Sequence, residues 1–229
     1  MVAIENAFES TDPFTPEARH IVVVSGGLGD PSQSSMLANR LASATTDALS
    51  HLGVVPEVEV IELRLLATDI SNALIAHNNS PALQKAIDQV MQADGVIAVS
   101  PTFKASYSGL FKSFWDLIDE EEFAGTPVLL GATGGTARHS LVIDQAMRPL
   151  FAYLKALLAP MSVFAASDDW GLVEGGSEST RTTPIHHRIE QAGTSFANLL
   201  EGRPARPRAK VDTEPGELEV IPFEQLLNS

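Results

Sequence analysis

Residues 20–36 read HIVVVSGGLGDPSQSSM and join three patterns in a row. The β-branched run at the start is typical of a strand buried on both faces. A loop rich in glycine and serine follows, and after it the apolar residues recur with helical spacing. A helix N-terminus presents unpaired N–H groups and partial positive charge, and glycines let the backbone approach a phosphate closely. This order of patterns predicts an anion site and favours a phosphorylated cofactor.

The composition excludes several classes of protein. The chain has 229 residues, 44% of them hydrophobic, a formal charge of −14 and no cysteine. One domain of this length buries a sizeable core, and the lack of cysteine excludes disulfides and thiolate chemistry. The acidic balance argues against nucleic acid, and the scattered histidines predict no metal site. No apolar stretch is long enough for a membrane span and no signal-peptide pattern is present, so we expect a cytoplasmic protein.

Strand and helix patterns alternate from residue 20 onward. Strands are predicted at 20–25, 57–61, 95–99, 127–132 and 161–166, and helices at 34–52, 81–93, 108–119, 140–158 and 185–200. Five such repeats imply an α/β domain, a parallel sheet with helices on both faces. The stretch 62–80 is ambiguous.

Proline-rich segments without periodicity flank this domain. We predict an N-terminal arm over 1–18, the domain over 19–202 and a C-terminal tail over 203–229. The tail either covers a neighbouring subunit or is disordered.

The loop after the first strand differs from the dinucleotide-binding fingerprint. Its Gly27-Leu28-Gly29 lacks the third glycine, and residues 21–39 contain no Lys or Arg. Four hydroxyl side chains are present instead: Ser25, Ser32, Ser34 and Ser35. Hydroxyls and backbone N–H groups suit a terminal phosphate monoester at a helix N-terminus. The other interpretation is that Ser32 or Ser34 only caps the helix.

The loops after the third and fourth strands decide between these interpretations. They read SPTFKASYSG over 100–109 and GATGGTARH over 131–139. Ligands of an open parallel sheet bind beyond the carboxyl ends of the strands, so the three loops converge. An aromatic side chain and consecutive glycines can frame a flat heterocycle, although Phe103 and Tyr107 can equally pack against the core.

These segments resemble the NAD(P)H-dependent FMN reductases of the flavodoxin-like superfamily, in particular those that supply reduced flavin to two-component monooxygenases. The resemblance rests on Ser25 to Leu37, on Pro101 to Gly109, and on Ala132 to Thr136 running into Ala146–Leu150. It implies a flavodoxin-like three-layer α/β/α fold with a five-stranded parallel sheet in the order 2-1-3-4-5. It also implies FMN with NADPH or NADH, a homodimer or homotetramer, and a flavin-dependent monooxygenase as partner.

The resemblance also assigns the cofactor-binding residues. The phosphate would be held by the loop that contains Leu28, through Ser25, Ser32, Ser34, Ser35 and the Met36 amide. The flavin ring would be lined by Pro101, Thr102, Phe103, Lys104 and Ser106, with Tyr107 near both the ring and a subunit contact, and by Thr133, Gly134 and Gly135. Many relatives carry an arginine where this chain has Gly27 or Leu28. Its loss favours a flavin that binds and leaves.

No catalytic side chain is predicted, since nicotinamide and flavin exchange the hydride themselves. Arg138 is a candidate contact for the phosphates of the nicotinamide nucleotide, or else faces solvent or a subunit neighbour with His139. The very apolar pattern over 140–158 predicts a helix that is sandwiched in the domain or forms a dimer face, kinked at Pro149. Two other functions fit the same scaffold: a quinone, azo or chromate reductase, and a non-enzymatic electron carrier of the flavodoxin type.

Overall fold

The computed structural model describes residues 18–171 and 183–206. Most of the predicted arm and the tail beyond Arg206 lie outside the described residues. The strands are β1 Ala18–Ser25, β2 Val55–Glu62, β3 Gly95–Phe103, β4 Ser106–Tyr107, β5 Pro127–Gly134, β6 Leu157–Leu158 and β7 Val163–Ala166. The α-helices are α1 Gln33–His51, α2 Ala67–Ala76, α3 Pro81–Gln92, α4 Gly109–Trp115, α5 Glu120–Phe123, α6 Arg148–Tyr153, α7 Ser167–Gly171 and α8 Ile185–Glu201.

The five predicted strands form a parallel sheet in the predicted order. From one edge the order is β2-β1-β3-β5, and β5 then pairs with β7 along one half of its length and with the short β6 along the other. The sequence did not predict two further strands. They are β6 and the antiparallel β4, which forms a hairpin with the end of β3. The carboxyl ends of β1, β3 and β5 therefore lie side by side at one edge.

The sheet separates two hydrophobic cores. In β1, Val22 and Val24 pack into the core beneath α2 to α6, whereas Ile21 and Val23 pack beneath α1 and α8. Burial of both faces explains why β1, β3 and β5 carry nearly continuous apolar runs. No helix within the described ranges combines the length and the apolarity that a bilayer span requires.

The single long helix predicted over 140–158 is wrong. A π-helical turn at Ile143–Met147 leads into the short α6, and residues 157–158 form β6 beside β5. Pro149 lies in the first turn of α6, directly after the π-helical turn, and Lys155, beyond the end of the helix, has a φ of 55°. The apolar pattern has two causes: a helix that packs on the core and a strand that joins the sheet.

The residues after α8 pack on the amino-terminal edge of the sheet. The Asp94 carboxylate accepts hydrogen bonds from the His20 amide at 2.7 Å and from the Arg206 amide at 2.6 Å. The Arg206 guanidinium donates to the Met91 carbonyl and to the Thr126 hydroxyl. Burial lowers the pKa of the Arg206 guanidinium below its ordinary value, and the nearby Asp94 carboxylate opposes this effect. Residues 203–206 of the predicted tail therefore contact their own domain.

Candidate functional site

A cavity of about 250 Å³ lies where the loops after β1, β3 and β5 meet. The residues that line it are Gly27, Leu28, Gly29, Pro31, Ser32, Gln33, Ser34, Pro101, Thr102, Phe103, Thr133, Gly134 and Gly135. The structure thus brings the three predicted loops together, as expected for ligand sites at the carboxyl edge of an open sheet. Predicted residues from each of the three segments share this one cavity.

Ser32 caps helix α1, so the capping interpretation holds for this residue. Its hydroxyl accepts a hydrogen bond from the Ser35 amide at 3.2 Å, and its carbonyl accepts one from the Met36 amide at 3.0 Å. The Met36 amide is therefore engaged inside the helix. At this end of α1 the amides of Gln33 and Ser34 have no hydrogen-bond acceptor within the helix, so they, and not the predicted Met36 amide, are available to an anion.

The other predicted hydroxyls connect the loops to one another. The Ser34 hydroxyl lies 2.7 Å from the Thr133 hydroxyl, and both side chains are buried. The hydroxyls of Ser25 and Ser35 lie 3.0 Å apart, which ties the end of β1 to the first turn of α1. Ser34 and Thr133 line the cavity, whereas the predicted Ser25 and Ser35 lie outside its lining.

Gly27 explains why this loop lacks an arginine at that position. A Cβ atom built on Gly27 would lie 2.0 Å from the Ser32 hydroxyl oxygen, so a side chain there would displace the helix cap. The next residue, Leu28, is 50% exposed. The nearest cation that hydrogen-bonds to this loop is Arg64, whose guanidinium lies 3.4 Å from the Asp30 carboxylate.

The sequence did not predict that Arg64 lies near this loop, because its secondary structure in the stretch 62–80 was ambiguous. It belongs to a 3₁₀ turn at Leu63–Leu66 that follows β2 directly. Since β2 pairs with β1, a residue just beyond its carboxyl end reaches the loop after β1. Its place directly after the second strand is the feature of the sequence that could have identified it.

The second loop is a tight hairpin in a strained conformation. Thr102 pairs with Tyr107 and Phe103 with Ser106, and the two residues at the turn, Lys104 and Ala105, have φ values of 51° and 66°. Non-glycine residues rarely adopt this left-handed region, which costs about 1–2 kcal/mol per residue. The hairpin holds Phe103 at the cavity, half exposed, while Lys104 and Ser106 lie outside the cavity lining.

Two serines that sequence reasoning did not assign anchor this hairpin. The Ser100 hydroxyl accepts a hydrogen bond from the Ser108 amide at 3.0 Å, and the Ser108 hydroxyl donates to the Gly26 carbonyl at 3.3 Å. They tie the second loop to the first. Within the described part of the chain, the buried hydroxyl oxygen of Thr102 has no hydrogen-bond partner, and Thr102 lines the cavity. Thr102 thus lines the cavity with its other atoms, because its hydroxyl oxygen is buried.

The third loop presents open backbone. A Cβ atom on Gly134 would lie 2.9 Å from the Phe164 ring, whereas one on Gly135 would have no described atom within 4 Å. Arg138 and His139 follow on an exposed 3₁₀ turn, and neither lines the cavity. Tyr107 lines a different cavity, with Trp115 and Tyr153.

The cavity has no titratable lining residue among the residues that the structure describes. It offers hydroxyls, a helix N-terminus, glycine backbone and one aromatic ring. Such a set suits a flat ring that ends in a phosphate.

Comparison with known proteins agrees with this geometry. The family model described as NADPH-dependent FMN reductase matches residues 19–171. A curated relative, "FMN reductase (NADPH)" of Pseudomonas aeruginosa, is 38% identical over 84% of this chain and 96% of its own. "NADH-dependent FMN reductase SfnF" of Pseudomonas putida is 39% identical over 67% of this chain and 82% of its own. A solved oxidoreductase from Corynebacterium diphtheriae is 36% identical, with a TM-score of 0.75 over 82% of this chain and all of its own.

The fold and the site define a flavoprotein oxidoreductase with a flavodoxin-like α/β/α architecture. The chain belongs to the NADPH-dependent FMN reductase family. This membership confirms the resemblance, the fold class and the predicted pair of FMN with a nicotinamide nucleotide. The individual binding residues remain predictions.

The Ser34–Thr133 bond yields a stability prediction. Ser34→Ala should lower the free energy of unfolding by about 1–3 kcal/mol, because the buried Thr133 hydroxyl loses its partner. Adding Thr133→Val should recover most of this loss, since both polar groups are then gone. Urea unfolding of the two single variants and the double variant gives the coupling energy. Ser50→Ala, an exposed serine on the same helix, is the control, and strictly additive effects would contradict the prediction.

Proposed function

We propose that this protein is an NAD(P)H-dependent FMN reductase that binds FMN in the cavity between the three loops and releases it reduced to a flavin-dependent monooxygenase. The observation that carries this proposal is a cavity with no titratable lining residue among those described, placed at the carboxyl edge of the sheet. When bound there, flavin accepts a hydride from the nicotinamide. The side chains need only bind, orient and exclude water.

The phosphate of FMN belongs at the N-terminus of α1. The first-turn amides of Gln33 and Ser34 point away from the helix, and the partial positive charge of the terminus favours an anion. Ser32 and Gln33 line the cavity at this end. In a chain of charge −14, these local donors replace the attraction that a basic surface would supply.

The flavin ring belongs between the second and third loops. Phe103 offers an exposed aromatic face and Gly135 an open stretch of backbone. Backbone N–H groups from 133–136 are suited to stabilise the negative charge of a reduced flavin. Because the cavity has no cationic lining residue among those described, we expect FMN to exchange readily, as a substrate does.

The enzymatic test is to mix desalted protein with FMN and with NADPH or NADH. We expect rapid oxidation of the nicotinamide and loss of flavin on repeated desalting. Gly135→Ala should weaken FMN binding about tenfold, because its new methyl group enters space reserved for the ring. Gly171→Ala is the matched control, since its Cβ also meets no described atom within 4 Å but lies outside the cavity.

A protein that neither binds FMN nor oxidises either nicotinamide would overturn the proposed function. Tight retention of flavin without turnover would instead indicate the electron carrier. Faster reduction of quinones, azo compounds or chromate than of free FMN would indicate the reductase alternative.

Arg138 is the candidate contact for the nicotinamide nucleotide. It stands exposed on the 3₁₀ turn that directly follows Gly135 and Thr136. Arg138→Ala should raise KM for NADPH about tenfold and leave KM for NADH nearly unchanged, because only NADPH carries a 2′-phosphate. Steady-state kinetics with both nucleotides measures the two KM values. Equal changes in KM for NADPH and NADH would contradict a contact between Arg138 and the 2′-phosphate.

A homo-oligomer is the second part of the proposal. A cavity of about 550 Å³ opens beside α4 and α6 and is lined by Tyr107, Trp115, Leu150 and Tyr153, among others. Tyr153 is 70% exposed. The buried Trp115 indole N–H has no partner within the described residues. The lining also includes Lys112, Asp116 and Glu120, so apolar and charged side chains lie side by side around this cavity. An exposed tyrosine among charged groups suits a subunit contact, and a second copy of this chain would cover it.

Tyr153→Lys should therefore weaken self-association at least about tenfold, because it places a charge inside the contact. Sedimentation equilibrium at micromolar concentration measures the mass. Ile75→Lys on α2 is the control, since Ile75 is even more exposed but lies away from this cavity. A monomeric wild-type protein would contradict the proposal.

A further inference from the structure

The short strand β7 supports the third loop from one side. It pairs with the carboxyl half of β5, and the register places Ala165 beside Thr133 and Ala166 beside Gly134. Thr133 and Gly134 also line the cavity proposed for FMN. Because β7 has only four residues, few bonds within the sheet hold it in place. The position of the third loop therefore depends on what else fixes β7.

Phe164 of β7 lies directly against the backbone of Gly134. The ring is buried, and a Cβ atom built on Gly134 would lie 2.9 Å from its Cζ atom. The ring therefore occupies the space that a side chain at position 134 would need. Since close-packed interiors transmit small displacements, a shift of Phe164 moves the backbone that lines the cavity.

An ion pair between α7 and α8 holds the carboxyl end of β7. The Arg188 guanidinium donates to the Phe164 carbonyl at 2.6 Å and to the Asp169 carboxylate. The other oxygen of Asp169 accepts a hydrogen bond from the Ala166 amide at 2.8 Å. The side chains of Arg188 and Asp169 are 28% and 21% exposed, so water and salt screen this pair less than a surface pair. Charge-assisted bonds thus fix Phe164 and Ala166 in the last turn of the chain before α7.

The helix that carries Arg188 is itself fixed on α1. A Cβ atom built on Gly193 of α8 would lie 2.8 Å from the carbonyl carbon of Ala44, so the two helices are in close contact. Arg188 lies between one and two turns before Gly193 on the same helix. The Arg40 guanidinium carbon also lies 4.9 Å from the centre of the Trp170 ring, which joins α1 to α7. Both partners of the ion pair are therefore carried by elements that pack on α1.

We propose that Arg188 and Asp169 are positioning residues of the flavin site, which act through Phe164 on the backbone of Gly134. The inference rests on the proposed function. Neither charged side chain lines the cavity, so neither touches the flavin. They hold the loop that faces the flavin ring, whereas the phosphate belongs to the N-terminus of α1. Loss of the ion pair therefore weakens binding of the ring and leaves binding of the phosphate unchanged.

The first experiment measures the affinities of FMN and riboflavin by quenching of flavin fluorescence in wild type and in Arg188→Gln. Both dissociation constants should rise by the same factor, about five- to tenfold, because the two flavins share the ring and differ in the phosphate. Lys155→Gln is the matched control. It breaks an exposed ion pair with Glu121, away from the cavity, and should leave both dissociation constants unchanged.

The second experiment tests the contact between Phe164 and Gly134, and it decides the matter if Arg188→Gln folds poorly. Gly134→Ala directs a methyl group at the Phe164 ring and should weaken FMN binding about tenfold by displacing the loop. Adding Phe164→Leu should restore most of the affinity, because the smaller side chain makes room. Phe123→Leu removes another buried ring of the same core, away from the cavity, and should restore nothing in the Gly134→Ala background.

The contrary outcomes separate this proposal from the proposed function. Unchanged flavin affinities in Arg188→Gln, with only a lower free energy of unfolding, would show that the ion pair is merely structural. A larger loss for FMN than for riboflavin would place its effect at the phosphate. A Gly134→Ala variant that binds FMN normally, or that Phe164→Leu does not improve, would exclude this contact. Each of these results overturns only the present proposal, whereas wild-type protein that binds no flavin would overturn the proposed function as well.

Discussion

The hydrogen bond between the hydroxyls of Ser34 and Thr133 sets the geometry of the whole site. It joins the first turn of α1 to the end of β5 and crosses behind the cavity that both loops line. Both side chains are buried, so each hydroxyl depends on the other for its hydrogen bond. A short contact between two neutral groups therefore fixes the first loop against the third.

Neutral groups also explain how a strongly acidic protein can bind an anion and release it. Residues 21–39 carry no lysine or arginine before Arg40, and Gly27 has no room for a side chain because Ser32 occupies that space. Anion binding then depends on a helix N-terminus, whose contribution is modest, about 0.3–1 kcal/mol for an exposed charge. A buried arginine would strengthen the complex and slow release.

The sequence predicted the layers of the fold because its strands are buried on both faces. Continuous β-branched runs such as those of β1, β3 and β5 are typical of parallel strands covered by helices on both sides, and the loops after them followed from topology. The prediction of one helix over 140–158 was wrong because an apolar run has the same composition in a buried helix such as α6 and in a buried strand such as β6. Arg64 escaped because its reach to the first loop depends on sheet pairing, which no local pattern in residues 62–80 expresses.

The hairpin at Phe103 shows what the site gains from strain. Lys104 and Ala105 adopt backbone conformations that glycine would adopt at no cost, and the pairing of β3 with β4 holds them there. A glycine at either position would relax the turn and widen the range of positions open to Phe103. The bonds of Ser100 and Ser108 add a second anchor, directed at the first loop. The pairing of β3 with β4 and the hydroxyl bonds at the base of the hairpin together hold an exposed aromatic ring in place at the cavity, so its position is set before any ligand binds.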